Sequence, residues 1–585
     1  VSCSRLLRRL CVLLLALALV PATLAAPPPD DLLVVRIHAP DPADAQRLAA
    51  QGFDLLEQRD GADLFALVSP AEYAALRAAG WQVRPDSEQT ALLTDAALQG
   101  FPDGYRTVAE IEQFLQTMAA EYPSLATLED VGDSWERTQS SDGTAGADLW
   151  AIRLSSTAAL SSTATLTSTA DKPVFFLLGG IHARELAAVE IAARFVEHLL
   201  TGYGRDALAT WLLEEYEVVV LPLANPDGYR LAQQGYFQRK NTNTSNGDGC
   251  SNPPSLLNHA GVDLNRNFSY QWGTINGPAQ NPCSQTYPGN APASEPETQA
   301  IQALLRALYP DHPRPAAGTP APDTTSGVFI SLHSYSELVL WPWGYTNTPS
   351  PNAAALERLG EQIAAANNYM PGQAVTLYPT SGTTDDWAYG ELGLAAFTIE
   401  IGPSGGTCGG FMPPFACLDE ANASASLGLW PRNLPALLYA ARVTQAPYMQ
   451  PAGPDLPINR LVVMSAGTQD AGATLTLWLD GGTLPPPEAV EVYFERSPWR
   501  SGEPLVLEPL PTATGTTTQA WRGTLPPAVQ ETLCSGPGLK CLNDANERPL
   551  ALIRGRNAAD VWGPIQAVWP QAAQPSLIWL PLVQR

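Results

Sequence analysis

The stretch Gly179-Gly180-Ile181-His182-Ala183-Arg184-Glu185 sets a histidine and a glutamate three residues apart, directly after the apolar run "KPVFFLL". Two further polar residues end apolar runs in the same way: His333 closes "GVFISLH" and Glu400 closes "AAFTIE". A catalytic zinc takes three nitrogen or oxygen ligands and keeps one position open for water. His182, Glu185 and His333 would make a His2Glu set of that kind. The histidines are few: His38, His182, His198, His259, His312 and His333. On its own "HARE" is equally a polar turn between a strand and a helix, and either histidine alone is more often structural.

These residues need elements to bring them together. "PVFFLL", "EVVVLPL", "GVFISL" and "AAFTIEI" read as near-continuous apolar strands. Helical text such as "ELAAVEIAARFVEHLL" and "ETQAIQALLRALYP" lies between them. That alternation predicts an α/β domain with a buried, mixed but largely parallel central sheet and helices on both faces. His182, Asn225, Asp227, His333 and Glu400 all fall at or just past the carboxyl ends of the four strands. Open α/β sheets build their sites at that edge.

On either side the text changes. Residues 31–85 read as a small α/β module with strands "DLLVVRIHA" and "DLFALVS", two short helices, and no catalytic cluster. The polar stretch 86–99 reads as a cleavable linker. Beyond about residue 446, short alternating runs separated by Gly/Pro turns predict a β-sandwich-like domain. The expected divisions are a leader over 1–26, the module and linker over 27–99, a catalytic domain over 100–445, and the sandwich over 446–585.

The leader reading rests on Arg5, Arg8 and Arg9, the apolar stretch from Leu10 to Val20, and small residues at Thr23 to Ala26. It predicts a secreted, extracellular protein with no stable membrane span after cleavage. Six cysteines lie outside the leader, and their spacing suggests three local pairs: Cys250 with Cys283, Cys408 with Cys417, and Cys534 with Cys541. No CxxC occurs, which argues against a cysteine zinc site. The formal net charge of −25 argues against a nucleic-acid partner, since no basic excess exists to neutralise phosphates. With 45% hydrophobic and 16% charged residues the chain can bury sizeable cores.

Over roughly residues 101–440 the sequence resembles the zinc carboxypeptidases of the carboxypeptidase A/B type. The resemblance is carried by ordered motifs: "HARE", "NPDGY" (Asn225 to Tyr229), "QRKN" (Gln238 to Asn241), "GVDLNRNF" (Gly261 to Phe268), "CSQTYPG" (Cys283 to Gly289), "SLHSYSELVLWPWGY" and "DDWAYGELGLAAFTIE" (Asp385 to Glu400). It implies the zinc carboxypeptidase fold, one zinc ion per chain, and hydrolysis of the terminal peptide bond at peptide or protein C-termini. A monomer is expected.

Position by position, the resemblance makes His182, Glu185 and His333 the zinc ligands and Glu400 the carboxylate that activates the attacking water. Arg239 becomes the arginine that stabilises the oxyanion. Asn265 and Arg266 become the pair that binds the substrate's terminal carboxylate, a task suited to a guanidinium fork. Asp263 orients His182 from behind. Tyr378 matches a tyrosine that folds over bound substrate, and Arg184 an arginine near the substrate path. Asp385, just before Asp386, matches a pocket residue whose acidic form goes with C-terminal Arg or Lys. Cys250 and Cys283 flank the "DLNRN" loop much as a family disulfide does. The first module stands where the family often carries an activation segment.

Two other readings stay open at this point. A peptidase of the same fold could act on cell-wall peptides bearing a diamino acid, whose amine Asp385 would also meet. A catalytically dead protein could use the sandwich for adhesion, but an intact set of His182, Glu185, His333, Arg239 and Glu400 speaks against it.

Overall fold

The computed structural model describes residues 32–572, apart from 157–171, 276, 278–279, 311, 313–317, 421–426, 465–472, 481–484, 495–496, 501, 512–517 and 527–548. The leader reading and the Cys534–Cys541 pairing therefore lie outside the described residues.

The amino-terminal unit is a four-stranded antiparallel sheet of β1 (Leu33–His38), β2 (Asp54–Asp60), β3 (Asp63–Val68) and β4 (Val83–Pro85), in the order β2-β3-β1-β4. The helices Pro42–Ala50 and Pro70–Ala78 both start on proline, which is pre-set for the first helical turn. Strand β2 is absent from the sequence reading. Residues 87–99, read as a linker, form the helix Ser87–Gln99, capped by Asp86, whose side chain accepts from Gln89 N. Buried Leu93 packs this helix into the main core.

The central sheet has eight strands: β5 (Ala126–Asp133), β6 (Asp148–Leu154), β7 (Val174–Leu178), β8 (Glu217–Leu221), β9 (Val328–His333), β10 (Leu338–Trp341), β11 (Met370–Gln373) and β12 (Ala395–Glu400). Their order is β11-β10-β12-β9-β7-β8-β6-β5. The four strands read from apolar runs are the four in the middle, β12-β9-β7-β8, and all pair in parallel. Antiparallel β6 and β10 flank them. Every residue of those four strands is buried, which is why they read as unbroken apolar text. Each buried Val, Leu or Phe there contributes roughly 1.5–3 kcal/mol relative to exposure.

The register places Glu400 directly beside His333. The turn after β7 brings His182 to the same edge, and its glycines permit it. Gly180 holds φ +61°, and a Cβ there would meet Val189 Cγ2 at 2.8 Å; one on Gly179 would meet the Pro222 carbonyl at 2.7 Å. The helix Leu186–Gly202 then carries the chain away.

The carboxyl-terminal unit is an eight-stranded sheet of β13 (Ile458–Met464), β14 (Thr474–Leu479), β15 (Ala489–Phe494), β16 (Leu505–Pro509), β17 (Gln519–Thr524), β18 (Ala551–Arg556), β19 (Gln566–Val568) and β20 (Gln571–Ala572). All its pairings are antiparallel except β13 with β20. It has its own apolar core, including Leu475, Leu477, Val490, Val492 and Ile553. Among the described residues, no helix is long and apolar enough to cross a membrane.

Candidate active site

Three side chains converge where β7, β9 and β12 end. Ligand atoms of His182, Glu185 and His333 lie within 4.8 Å of one another, all buried. His182 Nδ1 is 2.8 Å from Glu185 Oε1. His333 Nδ1 is 3.1 Å from Glu185 Oε2 and 3.1 Å from His182 Nδ1. Two ring nitrogens and two carboxylate oxygens all aimed at one point is an arrangement that a cation satisfies. The outer ring nitrogens are tied down: His182 Nε2 sits 3.2 Å from Asp263 Oδ1, and His333 Nε2 sits 3.0 Å from Ser331 Oγ. Such contacts fix ligand orientation.

Asp263 does a second job. Its Oδ2 accepts from Arg239 Nε at 3.1 Å. Burial works against its ionised form, but Arg239 and His182 hold its carboxyl well below the usual range. Arg239 is thereby anchored with one guanidinium nitrogen, Nη1, 3.8 Å from Glu185 Oε1. The loop carrying Arg239 is also held by Asn225, whose Nδ2 donates to the carbonyls of Ile181 and Arg239. Asp227 faces away, accepting from Ser134 Oγ and Glu136 N, with its pKa raised to about 6 by burial. The sequence had placed both at the strand edge; neither is among the converging ligands.

Beside the metal ligands lies a cavity of about 50 Å³ lined by His182, Arg239, Asn265, Arg266, His333, Tyr378, Asp385 and Glu400. Arg266 Nη1 donates to its neighbour's Asn265 carbonyl at 2.8 Å, and Nη2 to Tyr378 Oη at 3.4 Å. Asn265 Oδ1 accepts from Thr384 N, which joins this loop to the helix Thr384–Leu392 that carries Asp385. Glu400 Oε2 has no hydrogen-bond partner. Burial, then Glu57 and Glu185, push the Glu400 carboxyl well above its ordinary pKa, against the pull of Arg239 and Arg266.

Every site residue expected from the sequence is thus gathered here except Arg184, which stands to one side. It is fully buried over the Phe411 ring, 4.0 Å from its centroid, and pairs with Asp54 at 3.3 Å. The bridges Cys250–Cys283 and Cys408–Cys417 are formed.

Residues 31–85, read as a module without a catalytic cluster of their own, nevertheless reach the cavity. Strand β2 delivers Glu57 into the same cavity, with its Oε1 accepting from Arg239 Nη1 at 3.3 Å. Asp54, three residues earlier, pairs with Arg184. Burial raises the Glu57 carboxyl above its usual pKa although Arg239 opposes this. In the sequence, "DLLEQRD" gives no sign of it beyond acids spaced three apart.

Residues 111–425 match the family model described as zinc carboxypeptidase. The chain belongs to the zinc carboxypeptidase family. A zinc carboxypeptidase of Saccharothrix mutabilis subsp. capreolus is 29% identical over 416 residues, covering 66% of this chain and 85% of that protein. Zinc carboxypeptidase A 1 of Anopheles gambiae is 30% identical over 341 residues, covering 57% and 68%. The solved structure of carboxypeptidase A from Helicoverpa armigera superposes with a TM-score of 0.54 at 22% identity, covering 71% of this chain and 98% of that one, which shows a shared fold. The chain is accordingly a metallo-carboxypeptidase, a hydrolase that acts at peptide C-termini. Its His182–Glu185–His333 donor set fits the family's zinc in type, number and burial. Bound there, zinc would polarise a carbonyl and make water a nucleophile at neutral pH.

Proposed function

We propose that this carboxypeptidase is a secreted precursor that, once opened, removes a basic residue from peptide C-termini. The observation that carries the specificity is Asp385. Its carboxyl group lines the cavity beside Asn265 and Arg266, is buried, and has no ion-pair partner among the described residues. A guanidinium or ammonium entering that cavity meets an unpaired carboxylate where solvent screening is poor. Arg266, with Asn265, takes the free carboxylate of the substrate, which restricts the enzyme to chain ends. Tyr378, now resting on Arg266, is placed to cover the bound residue.

Glu400 serves as the proton carrier. Its raised pKa suits a group that takes a proton from water and returns it to the leaving amine. Arg239, braced by Asp263, offers its guanidinium to the negative charge that develops on the scissile carbonyl oxygen. One chain supplies every residue of this set, so a monomer suffices.

Latency rests on Glu57 and Asp54. They hold Arg239 and Arg184, and the apolar core of the amino-terminal unit runs on into Leu340, Leu377 and Tyr378. A substrate cannot use Arg239 while Glu57 occupies it. Secretion rests on the leader reading and fits the two disulfides.

The test is a release assay on proteolytically opened protein with peptides ending in Arg, Lys, Leu, Phe or a diamino acid, with a chelator control. Arg and Lys should leave fastest, and chelation should stop release. Faster release of Leu or Phe would overturn the Asp385 argument, and preference for the diamino acid would favour a cell-wall substrate. Glu400→Gln should retain the metal and lose about 10²–10⁴-fold in turnover. Loss of metal instead would mean that Glu400 is a ligand.

A further inference from the structure

Outside the cavity, two buried carboxyl groups meet a single amide. We infer that Asn241, gripped by Glu295 and Glu297, is the positioning residue that sets Arg239 against Asp263. Asn241 is fully buried. Its Oδ1 accepts from Val262 N at 2.8 Å and from Asn243 N at 3.2 Å. Its Nδ2 donates to Glu295 Oε2 at 2.8 Å and to Glu297 Oε2 at 3.2 Å. The main-chain N–H of Asn241 donates to the Val262 carbonyl at 3.1 Å.

The side chain therefore stitches two segments at one place. Arg239 lies two residues before it, and Asp263 lies one residue after Val262. The two ends of this stitch are the two ends of the Arg239–Asp263 ion pair. The approach is close: Gly261 holds φ +119°, and a Cβ there would meet the Asn241 carbonyl oxygen at 2.1 Å. Lys240, between Arg239 and Asn241, is also buried and donates to the carbonyls of His259 and Pro282. Burial lowers its pKa to about 7.

The same carboxyl pair reaches the loop of the terminal-carboxylate binders. Glu295 N donates to Asn267 Oδ1 at 3.1 Å, next to Arg266. Glu295 and Glu297 flank Pro296, the first residue of the helix Pro296–Leu308, so one rigid helix start holds both loops. Asn243 Nδ2 adds a second donor to Glu295 Oε2 at 2.8 Å.

Two carboxylates on one amide repel each other when both are ionised. Burial, and then Glu295, push the Glu297 carboxyl up to about 8. Asp227, from the helix Pro226–Gln233, adds to this, while the N–H groups of Trp135 and of Glu297 itself oppose it. Arg230 faces Asp227 rather than the pair, and Glu136 and Arg137 lie on the neighbouring helix Trp135–Gln139. Below about pH 8 Glu297 keeps its proton and the clamp is closed. Above it, a second negative charge appears beside Glu295 and the grip on Asn241 weakens.

This rests on the role proposed for Arg239, so the experiment carries both. Opened full-length protein is assayed for kcat and KM on the best substrate, with zinc content and thermal unfolding measured on each variant. Arg239→Ala should lower kcat by about 10²–10³-fold. Asn241→Leu should lower kcat by about 10²-fold through misplacement of Arg239, with KM within about threefold and zinc retained. Glu297→Gln keeps the neutral partner. It should flatten the decline in kcat expected of wild type above about pH 8, measured against its own level at pH 7. If Arg239→Ala leaves kcat intact, the role of Arg239 falls. If Arg239→Ala is crippled while Asn241→Leu folds and turns over normally, or Glu297→Gln leaves the pH profile unmoved, the clamp falls alone.

Discussion

The two units flanking the central sheet are attached by different chemistry. The amino-terminal unit engages arginines at and beside the site. Glu57 takes Arg239, Asp54 takes Arg184, and Arg59 donates to the carbonyls of Thr376 and Leu377, just before Tyr378. Among the described residues, the carboxyl-terminal sheet touches none of them. Trp499 lies 6.2 Å from both Trp211 and Tyr216, and its indole N–H donates to Glu215. Tyr493, Leu552 and Ile565 are buried within the main core, and Arg442 reaches across to the Ile565 carbonyl and Asp455. Contacts that use catalytic side chains compete with substrate. Contacts that use helix and strand scaffolding only add stability. The first unit thus reads as a removable block and the second as a fixed part of the folded body.

The largest way to break this contrast is Trp499→Ala. Trp499 is half-buried, so if the sheet is a fixed part, unfolding of the catalytic body should be eased by about 2–4 kcal/mol, seen as a lower midpoint in thermal or denaturant melts. Latency should not change. If Trp499→Ala leaves the melt untouched, the sheet is a tethered passenger.

Asp54→Ala comes next. It strands a buried arginine, and breaking such a pair costs about 3–5 kcal/mol when the charge stays buried. Arg184 escapes part of this once the unit lifts, so the expected result is faster proteolytic loss of residues before the catalytic domain, with its melt unchanged. Equal cleavage rates would mean that the pair does not hold the unit down.

Arg500→Ala sharpens the contrast from the other side. The Arg500–Glu215 pair, at 2.9 Å, is one-fifth exposed on the arginine side. Its loss leaves Glu215, which is buried, to the Trp499 indole N–H, at a cost of about 1–2 kcal/mol. A drop as large as that of Trp499→Ala would mean that charge, not aromatic burial, joins the sheet to the body.

How legible all this was depends on what made each residue visible. The middle of the sheet was readable because strands buried on both faces must be apolar throughout, and His182, His333 and Glu400 stand out against such text. The amino-terminal block was not. Strand β2 is polar at five of its seven positions, and Asp54 and Glu57 look like ordinary surface acids until the arginines that bury them are in place. The helix Ser87–Gln99 was likewise hidden, because its polar composition reads as a loop although buried Leu93 ties it to the core. Asn241, Glu295 and Glu297 sit in loops or at a helix start, where polar residues pass unnoticed; only their mutual distances make them a unit.

The most direct measurement is the activity of uncleaved Glu57→Gln/Asp54→Asn protein on a peptide ending in arginine, compared with uncleaved wild type at equal zinc content. The account predicts a nearly silent wild type and a double variant that releases arginine without any cut in the chain. Equal activity of the two, whether both silent or both active, would contradict it.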